Sequence, residues 1–264
     1  MPAVVDTNVV LVQRDGAIAT VTLNQPERLN ALNRAMWQRL RDAMRELSGD
    51  ESLRCVVLRG AGGKAFAAGA DISEFATERA NAKQASGYGA LIHEAMQAVA
   101  QCRHPTLALI EGACIGGGLE IAAMCDMRIC GASSRFGVPV NRLGLTMAYG
   151  ELEGLLALAG RAVTLEILLE GRVFDAAEAY HKGLVNRVLP DADVERESYA
   201  AAGRIAAGAP LVARWHKQFV DRLTVQTEIA PDVWAEGYAC FDTEDYREGV
   251  EAFLAKRKPR FTGH

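Results

Sequence analysis

Three consecutive glycines followed by a glutamate make up the segment of this 264-residue chain with the clearest capacity for chemistry. In Gly116-Gly117-Gly118-Leu119-Glu120, the glycines lack Cβ atoms, so a ligand can approach the main chain closely. The residues that follow predict a helix whose first amides have no intrahelical partner and lie at the positive end of its dipole. Such amides suit an oxygen that acquires negative charge. Glu120 lies one turn along, where it can exchange a proton with the group that this oxygen activates.

A second turn of small residues, Lys64-Ala65-Phe66-Ala67-Ala68-Gly69-Ala70-Asp71-Ile72, follows another apolar run. Two such turns could each offer one amide to a single oxygen, such as that of a thioester carbonyl. A structural alternative stays open for the first turn. There the three glycines only allow tight packing of a helix on a strand, and Glu120 only caps the helix.

Strand-like runs precede both turns and predict an α/β layer with the turns at the carboxyl ends of strands. The runs are Cys55 to Leu58, before the glycine-rich segment Gly60 to Gly69, and Thr106 to Ile110, before Gly112 to Gly118. Upstream, Val9 to Arg14 and Ala17 to Leu23 predict a hairpin turning at Asp15-Gly16. Apolar residues at helical spacing predict a helix from about Asn33. From about Glu151 the pattern is helical, with one clear β run, Leu184 to Val188.

Composition excludes several classes of protein. The chain is 50% hydrophobic and 23% charged, with a net charge of −4, so we expect neither nucleic acid nor an acidic membrane surface as a partner. The first residues lack the basic and apolar regions of a secretion signal and no apolar run is long enough to span a membrane, which together predict a cytoplasmic protein. Six cysteines scattered among apolar neighbours predict buried free thiols, and no metal site is expected.

Several familiar catalytic motifs are incomplete or absent in this sequence. His93-Glu94 is followed by Gln97 where a zinc protease motif needs a second histidine. The chain contains no Gly-x-Ser-x-Gly elbow and no Gly-x-Gly-x-x-Gly after a strand. The sequence therefore indicates neither serine hydrolase chemistry nor hydride transfer.

The two glycine turns, with other segments, resemble the enoyl-CoA hydratase/isomerase, or crotonase, superfamily. The matching segments are Asn24 to Leu32, Phe66 to Ile72, Gly112 to Asp126, Phe136 to Pro139 and Thr243 to Arg257. The resemblance implies an α/β fold: a crotonase-like ββα-superhelix over residues 1–195 and a helical C-terminal region over 196–264 for trimerisation and CoA binding. It also implies a homotrimer or dimer of trimers that acts on an acyl-CoA thioester, with no metal and no cofactor beyond the coenzyme A of the substrate.

Carried over by position, the resemblance assigns the oxyanion-binding amides to Ala70 and Gly117 and the main acid/base role to Glu120. A basic run, 255–260, is the expected local patch for the CoA nucleotide. Asp71 and Asp126 are also predicted to act as structural hydrogen-bonding residues. The residues that the resemblance places around the substrate are Arg28, Leu29, Ala68, Asp71, Ile72, Gly116, Val140, Phe253 and Lys256.

The chain departs from the family pattern at the second carboxylate. Hydratases of this family hold their water between two glutamates, and the downstream one falls here on Val140, which can neither accept a proton nor orient water. A later family position for an acidic residue is Ala148. We therefore predict that the chain hydrates crotonyl-CoA far more slowly than a two-glutamate relative.

Three interpretations follow from this departure. In the first, Glu120 works alone, giving isomerase, decarboxylase or slow hydratase activity. In the second, the missing group is replaced by Tyr149, Glu151 or Glu153, which are otherwise helix-surface residues. In the third, the chain is an acyl-CoA-binding homologue without turnover. The retained glycines and Glu120 favour catalysis, because a pure binder has little need of a carboxylate beside the thioester.

Overall fold

A six-stranded sheet organises the computed structural model, which describes residues 7–225, 228–230 and 233–264. The predicted hairpin is confirmed, since the first two strands are antiparallel and Gly16 between them has a φ of +55°. The remaining neighbours pair in parallel. With strands numbered in chain order, the spatial order is β1 (Val10–Asp15), β2 (Ile18–Leu23), β3 (Cys55–Gly60), β5 (Thr106–Ile110), β7 (Met127–Gly131) and β10 (Arg187–Leu189).

A second, smaller sheet lies at the two glycine-rich segments. Its strands, in spatial order, are β4 (Ala65–Ala67), β6 (Ala113–Ile115), β8 (Arg135–Gly137) and β9 (Phe174–Asp175). The first three are parallel, and β9 is antiparallel to β8. The sequence interpretation treated the segments around β4 and β6 as turns alone. Three-residue strands are too short to show a period-two pattern.

The helices lie around these sheets. The predicted first helix is confirmed, and Asn33 caps it by accepting a hydrogen bond from the Met36 amide at 2.8 Å. The longest helix is interrupted at Gly160, which has a φ of +71°. The α-helices are α1 (Arg34–Gly49), α2 (Phe75–Glu78), α3 (Ala82–Ala100), α4 (Gly117–Met124), α5 (Tyr149–Glu170), α6 (Ala176–His181), α7 (Val194–Ala206), α8 (Pro210–Val225) and α9 (Glu244–Leu254).

Short 3₁₀ segments complete the fold at Pro26–Arg28, Ile72–Glu74, Pro139–Leu143 and Val233–Asp242, among others. The part of the chain after 151 is mainly helical, as predicted. Its β run is shifted to Arg187–Leu189, and Phe174–Asp175 adds a second short strand that the sequence interpretation missed.

The core fills both faces of the six-stranded sheet. One large cluster packs α1 and α3 against the sheet through side chains such as Trp37, Leu40 and Met96. On the other face, Ala201 and Ala202 of α7 pack with Val57 and Leu107. The predicted boundary between residues 195 and 196 falls within α7 (Val194–Ala206), and this division of the chain stays a prediction. No helix in the described ranges has the length and apolar character needed to cross a membrane.

The prediction of buried free thiols is confirmed for five cysteines, and its burial part is wrong for Cys240. All six are free thiols, and all but Cys240 are buried; the buried five are Cys55, Cys102, Cys114, Cys125 and Cys130. Burial raises the pKa of Cys55 and of Cys130 to about 12, so these thiols stay protonated and unreactive. The described residues contain no cluster of three or more His, Cys, Asp or Glu side chains that could hold a metal ion.

Candidate active site

The two glycine turns lie against each other because they follow two neighbouring parallel strands, β4 and β6. Gly69 has a φ of +106° and Gly116 a φ of +51°, conformations that favour glycine. A Cβ atom placed on Gly116 would lie 3.6 Å from the Gly69 Cα. The sequence interpretation expected both turns at the carboxyl ends of strands and able to share one oxygen, and the pairing of β4 with β6 is the physical reason that they meet.

The amides predicted to bind the oxyanion, one in each turn, make no hydrogen bond to the described part of the chain. Leu32 pairs with the first turn on both sides of Ala70: its amide donates to the Gly69 carbonyl at 2.8 Å, and its carbonyl accepts from the Asp71 amide at 3.0 Å. Gly117 begins α4, so its amide has no helical acceptor. Within the ranges that the structure describes, neither the Ala70 nor the Gly117 amide donates a hydrogen bond, so both are available to a ligand oxygen.

Close packing requires glycine at two of the three positions, although only Gly118 packs on a strand. A Cβ atom on Gly117 would lie 2.6 Å from Leu32 Cδ1 and 3.2 Å from the Trp37 ring, and one on Gly118 would overlap the Ala67 carbonyl. Gly116 instead has the unusual backbone conformation. These glycines thus serve both tight packing and the shape of the turn.

The Glu120 carboxyl group is buried, with only 6% of the residue exposed. It does not cap α4, so that part of the structural alternative is wrong. Burial, and then the nearby Glu151 carboxylate, raise the pKa of Glu120 to about 8, while Arg79 opposes the shift. A carboxyl group with this pKa can gain and lose a proton near neutral pH.

Glu151 reaches the same region from the start of α5. Its carboxylate accepts a hydrogen bond from the Ala148 amide at 2.7 Å, which fixes it within the first helical turn. Helix α5 packs closely on α4. The contact is at Gly154, where an added Cβ atom would lie only 3.0 Å from the Met124 sulfur. Burial raises the pKa of Glu151, while the Ala148 hydrogen bond and Arg79 lower it. The site therefore contains a buried and a partly buried carboxyl group that interact with each other.

The other two candidates for the missing group lie elsewhere. The Gln97 side-chain amide of α3 donates to the Glu153 carboxylate at 2.9 Å, which holds this exposed residue of α5 against α3. Tyr149 is 91% exposed. Of the three, Glu151 is the one whose charge acts on Glu120.

Arg79 is a site residue that the sequence interpretation missed. Its guanidinium carbon lies 4.1 Å from the centroid of the Tyr88 ring and 5.0 Å from that of Phe75. The Tyr88 hydroxyl in turn donates to Glu74 at 3.0 Å. Among the described residues, Arg79 makes no direct ion pair, yet its charge acts on both Glu120 and Glu151. No local sequence signal connects position 79 with position 120, so only the fold reveals this cation.

The predicted substrate-contact residues near the first turn lie together. Arg28 donates to the Asp71 carboxylate at 2.7 Å, and the Ala68 amide donates to the Leu29 carbonyl at 3.0 Å. Leu29 and Ile72 are exposed apolar side chains. The segment Pro26–Arg28 and the turn after β4 thus form one continuous surface beside the Ala70 amide.

Both predicted structural aspartates make the hydrogen bonds expected of them. Asp71 accepts from the Ser73 amide at 3.0 Å and so caps the 3₁₀ segment Ile72–Glu74. Asp126 accepts from the Thr106 amide at 2.6 Å and from the Thr106 hydroxyl at 2.9 Å, and Lys217 donates to it at 3.0 Å. Asp126 therefore links β5 to the helical C-terminal part.

The remaining predicted contact residues lie apart from this surface or carry no polar group. Val140 is in the 3₁₀ segment Pro139–Leu143 and packs against the core. Phe253, at the end of α9, is 83% exposed and lines a cavity with residues of α8 and α9. Lys256 follows with a φ of +53°. The basic run 255–260 is only partly available to bind the CoA nucleotide, because Arg257 forms an ion pair with Glu248 at 2.6 Å.

Comparison with known proteins gives consistent matches along the chain. A family model described as enoyl-CoA hydratase/isomerase matches residues 13–264. A short-chain-enoyl-CoA hydratase of Clostridium acetobutylicum is 33% identical over 256 residues, which cover 96% of this chain and 97% of that protein.

Solved structures agree with the sequence matches. An enoyl-CoA hydratase/carnithine racemase from Magnetospirillum magneticum is 52% identical, with a TM-score of 0.95 over 97% of this chain and 96% of that one. An enoyl-CoA hydratase from Bacillus anthracis is 30% identical, with a TM-score of 0.90 over 97% of this chain and 100% of that one. The α/β architecture is therefore the one that these structures share.

Proposed function

Because this chain belongs to the enoyl-CoA hydratase/isomerase family, we propose that it converts an acyl-CoA thioester through an enolate, with Glu120 as the main acid/base group. One observation carries the proposal. A buried carboxyl group with a pKa of about 8 lies on the same helix as the Gly117 amide, directly after the turn that lies beside Gly69. The acyl-CoA is the substrate, and no further cofactor enters the proposal.

The chemistry follows from these groups. The Ala70 and Gly117 amides donate to the thioester oxygen, and each well-placed donor contributes about 3 kcal/mol as negative charge develops there. The ionised Glu120 carboxylate removes the α-proton, and the electron pair of that C–H bond moves onto the thioester oxygen. Return of a proton from Glu120 completes the exchange. The raised pKa makes Glu120 a stronger base than an exposed glutamate.

The surface beside the Ala70 amide supports binding of the CoA portion. We propose that Arg28 meets a phosphate while Leu29 and Ile72 cover the apolar part of the pantetheine arm. Ala68, Asp71 and Gly116 shape the channel between the two turns. Phe253 and Lys256 would meet the nucleotide at the other end of the molecule, from the same or a neighbouring subunit.

Val140 makes fast hydration an unfavourable reaction for this site. Its isopropyl group packs on the core where the family's hydratases have a second glutamate, so water cannot be held there by a charged acceptor. The proposal therefore favours proton-transfer reactions of the enolate, such as isomerisation or decarboxylation, over fast hydration.

Proton exchange at the α-carbon tests the proposal directly. Wild-type protein incubated with butyryl-CoA in deuterated water should incorporate deuterium at the α-position, measured by mass spectrometry. Glu120→Gln should abolish incorporation, whereas Glu153→Gln, a change on the outer face of α5, should leave it intact. Exchange that persists in Glu120→Gln would make Glu120 structural. Tight binding of butyryl-CoA without exchange in wild type would favour the alternative, a binding homologue without turnover.

We also propose that the chain works as a homotrimer or a dimer of trimers in the cytoplasm. Large apolar side chains stay exposed on the C-terminal part, and free buried thiols fit a reducing compartment. Sedimentation analysis would give the mass of the assembly. The exposed side chains are Val220, Leu223, Trp234, Tyr238, Phe241, Val250, Phe253 and Leu254.

A further inference from the structure

We propose that Glu151 supplies the second proton-exchanging carboxyl group of the site, acting on the substrate together with the neighbouring Glu120. The inference rests on the proposed function and deepens it, because it names the group that replaces the carboxylate missing at Val140. It also narrows the reaction to a proton shift between two carbon atoms of an enoyl thioester.

Helix packing brings the two glutamates together. Gly154 of α5 lies against Met124 and Ala123 of α4. Glu151 precedes Gly154 by one helical turn, and Glu120 precedes Ala123 by one helical turn, so each glutamate lies next to the contact on the face of its own helix that the contact uses.

The first turn of α5 is also held from its other side. A Cβ atom on Gly150 would overlap the His93 ring, so the turn lies directly against α3. The hydrogen bond from the Ala148 amide then fixes the Glu151 carboxylate within this turn. The position of Glu151 thus results from contacts of α5 with both neighbouring helices.

The charges around the pair favour one shared proton. The positive charge of Arg79 acts on both carboxyl groups, and Tyr88, over whose ring it lies, donates its hydroxyl hydrogen bond to Glu74 instead. Two ionised carboxylates beside one cation would leave an excess negative charge in a buried place. Near neutral pH the pair therefore holds one proton between two groups, and it titrates as a unit.

A pair with one proton has what a 1,3-proton shift needs. In a β,γ-enoyl thioester, the ionised carboxylate removes a proton from C2, and the electrons move onto the thioester oxygen as a dienolate. The protonated carboxyl group then delivers its proton to C4 as the double bond moves from C3–C4 to C2–C3. The pair still holds one proton afterwards, and its transfer between the two groups restores the starting state. No water and no oxidant takes part.

The test compares Glu151→Gln with Glu153→Gln, two changes on one helix. Glutamine can still accept the Ala148 hydrogen bond, so helix α5 keeps its cap. With trans-3-hexenoyl-CoA as the probe, we expect wild type and Glu153→Gln to form the conjugated 2-enoyl product, followed by its absorbance. Glu151→Gln should be slower by roughly 100-fold or more, the usual contribution of one acid/base group.

A second measurement tests the electrostatic interaction between Glu120 and Glu151. The pH midpoint of α-proton exchange with butyryl-CoA should fall by roughly one pH unit in Glu151→Gln, because the like charge beside Glu120 is gone. Glu153→Gln should leave that midpoint unchanged. If Glu151→Gln does not fold, Glu151→Asp keeps the charge but shortens its reach, and it should slow isomerisation at least tenfold.

The outcomes separate this inference from the proposed function. In one outcome, Glu120→Gln loses exchange, but Glu151→Gln and Glu153→Gln isomerise the probe at equal rates and show equal pH midpoints of exchange. This outcome would overturn the role of Glu151 and leave the proposed function intact. Wild-type protein that exchanges α-protons but does not isomerise trans-3-hexenoyl-CoA would do the same. Absence of α-proton exchange in wild type would overturn the proposed function first.

Discussion

The guanidinium group of Arg79 lies over the Tyr88 ring, with its central carbon 4.1 Å from the ring centroid. This contact holds a positive charge beside the two carboxyl groups of the site without an ion pair to either. A cation held by aromatic rings stabilises negative charge nearby while leaving the carboxylate oxygens unblocked for proton transfer.

Removing this cation should raise the pKa of Glu120. Arg79 lowers the pKa of both Glu120 and Glu151, so Arg79→Gln should move the pH midpoint of α-proton exchange upward, roughly one pH unit by the usual size of such effects. The measurement is the exchange rate of butyryl-CoA from pH 6 to pH 10. Arg45→Gln, a change at a surface ion pair with Glu94, serves as the control. A midpoint that stays in place or falls would show that Arg79 does not act on the site.

Substituting Glu120 should stabilise the protein, and more so at higher pH. The folded state holds the Glu120 proton up to about pH 8, whereas an unperturbed glutamate loses it near 4.5. The folded state therefore binds more protons between these values, and its stability falls as pH rises from about 4.5 to about 8.

Glu120→Gln removes this penalty. The variant should unfold at higher urea concentration than wild type at pH 8.5, by roughly 2–4 kcal/mol in the free energy of unfolding, and by much less at pH 5. Equal stabilities at both pH values would argue against a raised pKa. Glu153→Gln should show no such pH-dependent difference.

A side chain at Gly116 should disturb the position of the Gly117 amide. Gly116 has a φ of +51° and a ψ of −121°, which other residues adopt only with strain. Gly116→Ala should cost roughly 1–3 kcal/mol of stability. It should also lower kcat for α-proton exchange by about 10²-fold, the effect of losing one oxyanion donor.

Gly89→Ala is the matched control for this prediction. Gly89 lies within α3, and a Cβ atom there meets nothing within 4 Å. The control should keep full activity and gain roughly 0.5–1 kcal/mol in stability, because alanine favours the helix. Full activity in Gly116→Ala would remove the Gly117 amide from the proposed site.

Hydration of crotonyl-CoA should be slow. Val140 offers no acceptor for a water molecule, so turnover should fall far below that of a two-glutamate relative measured side by side. Loss of enoyl absorbance is the readout. A turnover on the order of 10³ s⁻¹, at the upper end for enzymes, would show that another group holds the water.

The sequence alone predicts the elements with strong local signals. The hairpin at Gly16 and the helix capped by Asn33 follow from turn residues and helical spacing, and both are present. The strands β4 and β6 were missed because three residues cannot show a period. Their pairing is the physical reason that the two glycine turns meet.

The sequence could nominate Glu151 but not choose it over Glu153 or Tyr149. The choice depends on contacts between residues far apart in the chain, such as Gln97 with Glu153 and Met124 with Gly154. The pKa of Glu120 likewise follows from burial, which its own neighbours in the sequence do not reveal. No sequence pattern marked Arg79 as a residue of the site.

The two proposed oxyanion donors, the Ala70 and Gly117 amides, belong to main-chain turns that follow adjacent strands, which has a consequence for genetics. Neighbouring strands are separated by about 4.8 Å, so the sheet sets the separation of the two turns, and no side chain has to recognise the oxygen. A systematic replacement of side chains by alanine would not detect a donor at position 70, which is already alanine. Only changes to the backbone itself, such as an ester in place of the amide, would reveal it.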